Sequence, residues 1–264
     1  MLRNCCRHSK WMGIIIPCIF AVIMICTQAF AYRPFNTEDA GVGCRGDIYL
    51  ETSWERMAEP GITSDTFLVV YGYSLFDRLE LSAEVPYVRA DPDSNSVSHG
   101  FGDVLFSGKF LFLGSMPEDG SNPRGFVGSL KGAVKTRSGE DEKCLGSGEN
   151  EEEISMAISR CFGPVTAHLM AGYTWVSHRA PGTESNYYLY GYAMDLAVSE
   201  KIQLGGEITG QKDISCSQQR QEVDLLAGIM VSPVDSVILD VFFRRSLVHG
   251  KDFNSFGIGG TIGF

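Results

Sequence analysis

Apolar and polar residues alternate along most of this chain. In "DIYLETSWER", Ile48, Leu50, Thr52 and Trp54 share one face, and Tyr49, Glu51, Ser53 and Glu55 share the other. "LELSAEVPYV" sets Leu79, Leu81, Ala83, Val85 and Tyr87 against Glu80, Ser82 and Glu84. "VLFSGKFLF" sets Val104, Phe106, Phe110 and Phe112 against Ser107 and Lys109. "FVGSLKGAVKTR" sets Phe126, Leu130 and Val134 against Ser129, Lys131, Lys135 and Arg137. A period of two is the strand signature, because successive side chains point to opposite faces. The same pattern runs through "ISMAIS", "VTAHLMAGYTW", "YYLYGYAMDLAV", "IQLGGEITGQ", "EVDLLAGIMV", "VILDVFFRR" and the terminal "SFGIGGTIGF", with a less regular "TFLVVYGYS" second. The periodicity predicts about twelve strands.

The connections sort by length. Odd-numbered ones, such as "ADPDSNSVSHG", "SGEDEKCLGSGENEE" and "RAPGTESN", are long and polar. Even-numbered ones, such as "LFD", "GP", "SEK" and "SPVD", are tight turns. The first ("AEPGIT") and the fourth ("GSMPEDGSNPR") break the rule. A soluble sandwich has no reason to sort its loops, whereas an outer-membrane barrel has short turns at one end and long loops at the other. Only a closed barrel lets strands cross lipid with every backbone group paired. The expected fold is all-β, a transmembrane antiparallel up-and-down barrel; a secreted β-sandwich is the alternative.

The N-terminus supports export. Arg3, Arg7 and Lys10 precede an apolar run from Trp11 to Cys26, and Ala29-Phe30-Ala31 follows. This is the layout of a cleaved signal peptide over residues 1–31 rather than a membrane anchor. Residues 32–46 are then expected to form a periplasmic segment, and 47–264 the outer-membrane barrel. The leader holds three of the 22 basic residues and none of the 32 acids, so the mature chain is more acidic than the whole. That argues against a nucleic-acid partner. Cys44, Cys144, Cys161 and Cys216 remain after cleavage, and in an exported chain the disulfide reading leads. Cys144 and Cys216 fall in predicted long loops and are the expected pair; Cys44 and Cys161 could meet only if the N-terminal segment crosses the barrel mouth.

No catalytic, cofactor or metal site is expected. There is no G-x-S-x-G elbow, and the mature histidines are His99, His168, His178 and His249. His99 and His249 fall in predicted loops, His178 ends a strand, and His168 points into the lumen. The acidic run 138–153 lacks EF-hand spacing and reads as a solvated loop.

The inward row offers the functional candidates. Glu51, Glu55, Glu80 and Glu84 fall on early strands, Lys109, Lys131, Lys135 and Arg137 on the next, and Glu207, Asp224, Asp240 and Arg244 further round. Such mixed charge either cross-links a filled interior or lines a narrow pore. Barrels of about eight strands are filled and those of about sixteen hold water. The outward row of the upward strands ends at Arg56, Arg89, Arg179, Lys212 and Arg245. These five are expected at the outer headgroups, where guanidinium forks suit lipopolysaccharide phosphates and simple snorkelling is the alternative.

Three stretches resemble one family: "RPFNTEDAGVGCRGDIYLETSWE", "YGYSLFDRLELSAEVPYV" and "GFGDVLFSGKFLF". They are similar to the outer-membrane barrels grouped as "MetA pathway of phenol degradation", related to the fatty-acid-transporter-like channels. The resemblance covers about the first third of the mature chain. It implies a passive channel for small apolar or aromatic solutes; a non-conducting structural or surface-interaction barrel is the alternative. The final strand, ending in Phe264, resembles the C-terminal strand of bacterial outer-membrane proteins. That likeness implies recognition of Phe264 by the barrel-assembly machinery.

Overall fold

The computed structural model describes residues 34–92, 96–117, 125–177, 186–213, 221–247 and 253–264. The leader, Arg179, His178, His249 and Cys216 therefore lie outside the described residues. The strands are β1 (Ile48–Glu59), β2 (Ile62–Phe76), β3 (Leu79–Pro92), β4 (Ser98–Phe101), β5 (Leu105–Leu113), β6 (Phe126–Lys135) and β7 (Glu151–Phe162). After them come β8 (Val165–Val176), β9 (Tyr187–Ser199), β10 (Ile202–Asp213), β11 (Gln221–Val234), β12 (Val237–Ser246) and β13 (Asn254–Gly263). Each pairs antiparallel with its sequence neighbours, apart from a break between β4 and β5, and β1 pairs with β13 to close the sheet.

β4 and β5 form one stave. β3 pairs with β4 at Tyr87↔Phe101 and with β5 at Glu84↔Leu105, so Val85 and Pro86 face three residues, 102–104. This bulge breaks the stave, and the wall is a closed barrel of twelve staves. The sequence pattern treats 98–101 as loop. Its short run lacks enough alternation to register, and pairing to β3 makes it a strand.

Closure reaches the last residue. The Phe264 N–H donates to the Ile48 carbonyl at 2.8 Å, and the Ile48 N–H returns a bond to Phe264 at 3.2 Å. The terminal strand β13 pairs with β1 and so closes the sheet. At that end lie the tight turns 77–78, 163–164, 200–201 and 235–236, together with the longer connection 114–125. The long loops lie at the other end, except for the two-residue turn 60–61.

The outer face is apolar and bounded by rings. Trp54 meets Phe256 edge-on at 6.2 Å, Tyr87 meets Phe101 at 5.5 Å, and Tyr173 meets Trp175 at 4.7 Å near the long-loop end. Phe76, Phe112, Phe126 and Phe162 are exposed near the turn end. Two aromatic girdles around an apolar band are what a bilayer requires of a barrel.

The loop 136–150 folds onto the bulge. Asp103 accepts bonds from the Gly139 N–H at 2.9 Å and from the Ser147 N–H at 2.7 Å, while Leu145 is buried. Gly102 allows this approach, since a Cβ there would lie 2.9 Å from the Leu145 carbonyl.

Candidate functional site: a segmented lumen

The segment expected outside the barrel lies inside it. Residues 34–43 run within the lumen and contact inward side chains of β3, β5, β6, β7, β8, β10 and β12. Its aperiodic sequence carries no strand signal, so the alternation rule passes over it.

Next to the turn end, Ala40 and Val42 are buried among inward Leu111, Val127 and Ala157, with Met116 packed alongside. The Gly43 N–H reaches Glu80 Oε2 at 3.4 Å, and Tyr49 donates to Glu80 Oε1 at 3.0 Å. This apolar layer occupies the lower lumen.

Above it the contacts turn ionic. Glu38 pairs with Lys131 and, at 3.4 Å, with Lys109. Lys109 also donates to the Asp39 carbonyl at 3.3 Å. Burial works against the charge on Glu38, but the Lys131 and Lys109 ammonium groups outweigh it and hold its carboxyl down at about 2. The Thr37 N–H donates to Glu207 Oε2. Arg244 donates to Asn36 Oδ1 at 3.2 Å and pairs with Glu55 at 3.4 Å.

Three inward glycines seat the segment's first residues. A Cβ at Gly228 would lie 2.8 Å from Pro34, one at Gly205 would collide with the Phe35 ring, and one at Gly191 with Thr37. These glycines sit on adjacent β11, β10 and β9, with Gly228 and Gly205 directly opposite each other.

The Ala40 N–H donates to Ser159 Oγ at 2.8 Å. Ser159 lies 2.8 Å from His168 Nδ1, and His168 Nε2 lies 2.9 Å from Asp195 Oδ2. When the Ser159 hydroxyl donates a hydrogen bond to Nδ1 of a neutral ring, Nε2–H is left to donate to Asp195. These are the residue types of a hydrolase triad. Here, however, the hydroxyl meets the segment's amide, and it lines neither of the chambers described next.

The segment divides the lumen into two chambers. One, of about 330 Å³, is bounded by Glu51, Glu55, Glu80, Glu84, Lys109 and Arg244. The other, of about 240 Å³, is bounded by Glu153, Met170, Tyr187, Glu222 and Asp224. Asn36, Glu38 and Lys131 border both, so they form the partition.

Of the inward candidates, Glu51, Glu80, Lys109, Glu207 and Asp240 are buried, and Glu55, Glu84, Lys131, Lys135, Asp224 and Arg244 are half-buried. Lys135 pairs with Glu151, which also accepts from Tyr187 at 2.9 Å. Arg137 is different. β6 ends at Lys135, and Arg137 is exposed in the following loop, where its backbone N–H bonds Asn150. Strand parity had been extended past the ladder that enforces it. His168 does face the lumen. Glu38, Ser159 and Asp195 were missed; two lysines on neighbouring inward positions, in need of a counter-charge, were the available signal.

On the outer face, Arg56 pairs with Asp65 at 3.5 Å, and Arg89 pairs with Asp65 at 3.3 Å and Asp91 at 3.0 Å. Lys212 and Arg245 are exposed. Cys44, Cys144 and Cys161 are thiols, Cys144 exposed; its expected partner Cys216 is outside the described residues.

No protein-family model matches the chain. No curated protein matches it either. The short segments resembling the phenol-degradation barrels thus have no family match behind them. Solved structures do share the fold. The COG4313 outer membrane channel from Pseudomonas putida F1 aligns with a TM-score of 0.72 at 12% identity, over 87% of this chain and 100% of that one. The KdgM porin in complex with disordered oligogalacturonate aligns with a TM-score of 0.54 at 12% identity, over 81% and 99%. The translocator domain of the autotransporter NalP from Neisseria meningitidis gives 0.50 at 10% identity, over 97% and 95%. At such identities the likeness establishes the outer-membrane barrel fold.

Proposed function

We propose that this protein is an exported outer-membrane channel for small solutes, closed at rest by its own residues 34–43. The observation that carries this reading is the partition: two chambers lie in one lumen, separated by a segment that has no strand ladder to the wall. The fold neighbours named as a channel and a porin support it. The chamber walls mix carboxylates, Lys109, Lys131 and Arg244 with apolar side chains such as Leu68, Leu105, Phe242, Met170 and Leu189, so they do not single out the apolar or aromatic cargo that the sequence resemblance implies. Export by the 1–31 leader and recognition of Phe264 by the assembly machinery complete the reading, with outer-membrane lipid as the barrel's surroundings.

The apolar seal of Ala40 and Val42 against Leu111, Val127 and Ala157 favours a second reading, a barrel that never conducts. Planar-bilayer recording separates them. The mature chain should show rare, small openings, and a variant lacking 34–43 should conduct steadily. A silent deletion variant that still folds would establish the non-conducting barrel instead.

A further inference from the structure

We propose that the solutes this lumen accepts are cations, organic ammonium ions included; the inference rests on the channel reading and names its substrate class. Among the described residues lining it, the first chamber has Glu38, Glu51, Glu55, Glu80 and Glu84 against Lys109, Lys131 and Arg244. The second adds Glu153, Glu222 and Asp224 and, among the described residues lining it, no cation beyond Lys131, although Arg244 lies within electrostatic range of Asp224. Each chamber therefore carries excess negative charge, and both share the partition at Glu38. A narrow lumen walled by protein and lipid focuses such a field and raises the local concentration of counter-ions. Rings of Asp and Glu are how cation pores select.

A buried group points the same way. Glu207 is 2% exposed, and its Oε2 takes the Thr37 N–H while its Oε1 has no hydrogen-bond partner. It lies within electrostatic range of Asp224 in the second chamber's wall. Glu207 lines neither chamber itself, but a buried carboxylate oxygen without a hydrogen-bond partner adds negative charge to the wall that Arg244 and Asp224 share. Tyr187 borders the second chamber, and a tyrosine ring beside carboxylates is a suitable surface for an alkylammonium group.

The test uses the full mature chain in two measurements. In planar bilayers under a potassium chloride gradient, the reversal potential should lie on the potassium side. Glu84→Gln, Glu222→Gln and Asp224→Asn combined should move it toward zero. In detergent, calorimetric titration with spermidine should show binding that the triple variant weakens by about tenfold, the ratio given by about 1.4 kcal/mol of lost attraction. The acidic loop 138–153 is present in both proteins, so the difference reports the lumen alone. Heat-modifiable migration checks folding, and the single Glu222→Gln, with a smaller shift of the same sign, serves if the triple variant does not fold. Chloride selectivity overturns the proposal, as does spermidine binding that no lumen variant changes. Variant-sensitive spermidine binding together with a silent bilayer for both the mature chain and the folded variant lacking 34–43 instead defeats the channel reading and leaves the cation preference standing.

Discussion

The wall and the segment it encloses are held by different means. The wall strands are laddered to their neighbours, interrupted by the bulge between β4 and β5, and the sheet closes where Ile48 and Phe264 exchange hydrogen bonds. Residues 34–43 have no such ladder. Their holds are single bonds and ion pairs to inward side chains: Glu207, Lys131, Lys109, Ser159 and Glu80. In lipid a wall strand cannot part without exposing backbone groups, at several kcal/mol each. On the channel reading proposed above, the segment leaves its seat and is replaced by water, while the wall stays in place.

The largest effect should come from the ionic hold. Glu38→Gln leaves Lys109 and Lys131 without their shared carboxylate, and breaking a buried pair from one side costs about 3–5 kcal/mol. That cost should appear as release of the segment rather than unfolding of the wall: steady conductance with unchanged heat-modifiable migration. The same pair predicts a pH response. The Glu38 carboxyl is held from 4.5 down to about 2, so its stabilising share is complete above the upper value and fades only as pH falls toward the lower. Conductance at about pH 5 should therefore match that at neutral pH. Opening on mild acidification would show that a group other than Glu38 governs the segment.

The wall should respond to the opposite kind of change. Leu81 is 44% exposed on the outer face of β3, and Leu81→Lys places a charge in the apolar band. The expected loss is about 2–4 kcal/mol near the midplane. It should be read in unfolding from lipid vesicles, with single-channel behaviour unchanged in the folded fraction. Equal loss from Glu84→Gln, one pleat position from the same row, would mean that the two faces have been exchanged, because a one-residue slip swaps every side chain.

The same contrast decides what the sequence could reveal. Wall residues repeat with period two because each must face lipid or lumen. Strand number, closure at Phe264 and the inward positions of Glu51, Glu80, Lys109 and Arg244 were therefore legible. The segment's residues obey no period. "PFNTEDAGVG" matters only through what it meets: glycines at 191, 205 and 228 for Pro34, Phe35 and Thr37, and lysines at 109 and 131 for Glu38. Such complementarity between distant stretches leaves no local trace. Arg137 failed for a related reason, since parity has no meaning once the ladder stops at Lys135. Asp65 was passed over because it sits in the irregular first part of β2, and its role appears only when β1 and β3 bring Arg56 and Arg89 beside it.

A smaller effect is expected from Ser159→Ala. It removes the acceptor of the Ala40 N–H and the partner of His168 Nδ1, without touching the ionic partition. A typical hydrogen bond contributes about 0.5–1.5 kcal/mol. Openings should become several times more frequent while their size stays the same. Larger openings would mean that Ser159 shapes the pore itself rather than the hold on the segment.

The smallest effect concerns the outer rim. Asp65 already engages Arg56 and Arg89, so both guanidinium groups carry a carboxylate partner before any lipid arrives. Exposed pairs of this kind contribute about 0–1 kcal/mol, and Asp65→Asn should change wall stability by no more than that. Its effect on lipid should be clearer. If the rim binds lipopolysaccharide phosphate, as we propose, freeing two arginine forks strengthens the site, since guanidinium grips phosphate in two places. Asp65→Asn should then raise the lipopolysaccharide that co-purifies, and neutralising Arg56, Arg89, Lys212 and Arg245 together should lower it. The opposing pair matters because a general loss of positive charge could reduce retention through weak attraction alone. Retention unchanged by Asp65→Asn would reduce Arg56 and Arg89 to cross-links between β1, β2 and β3, with their stems snorkelling to the interface.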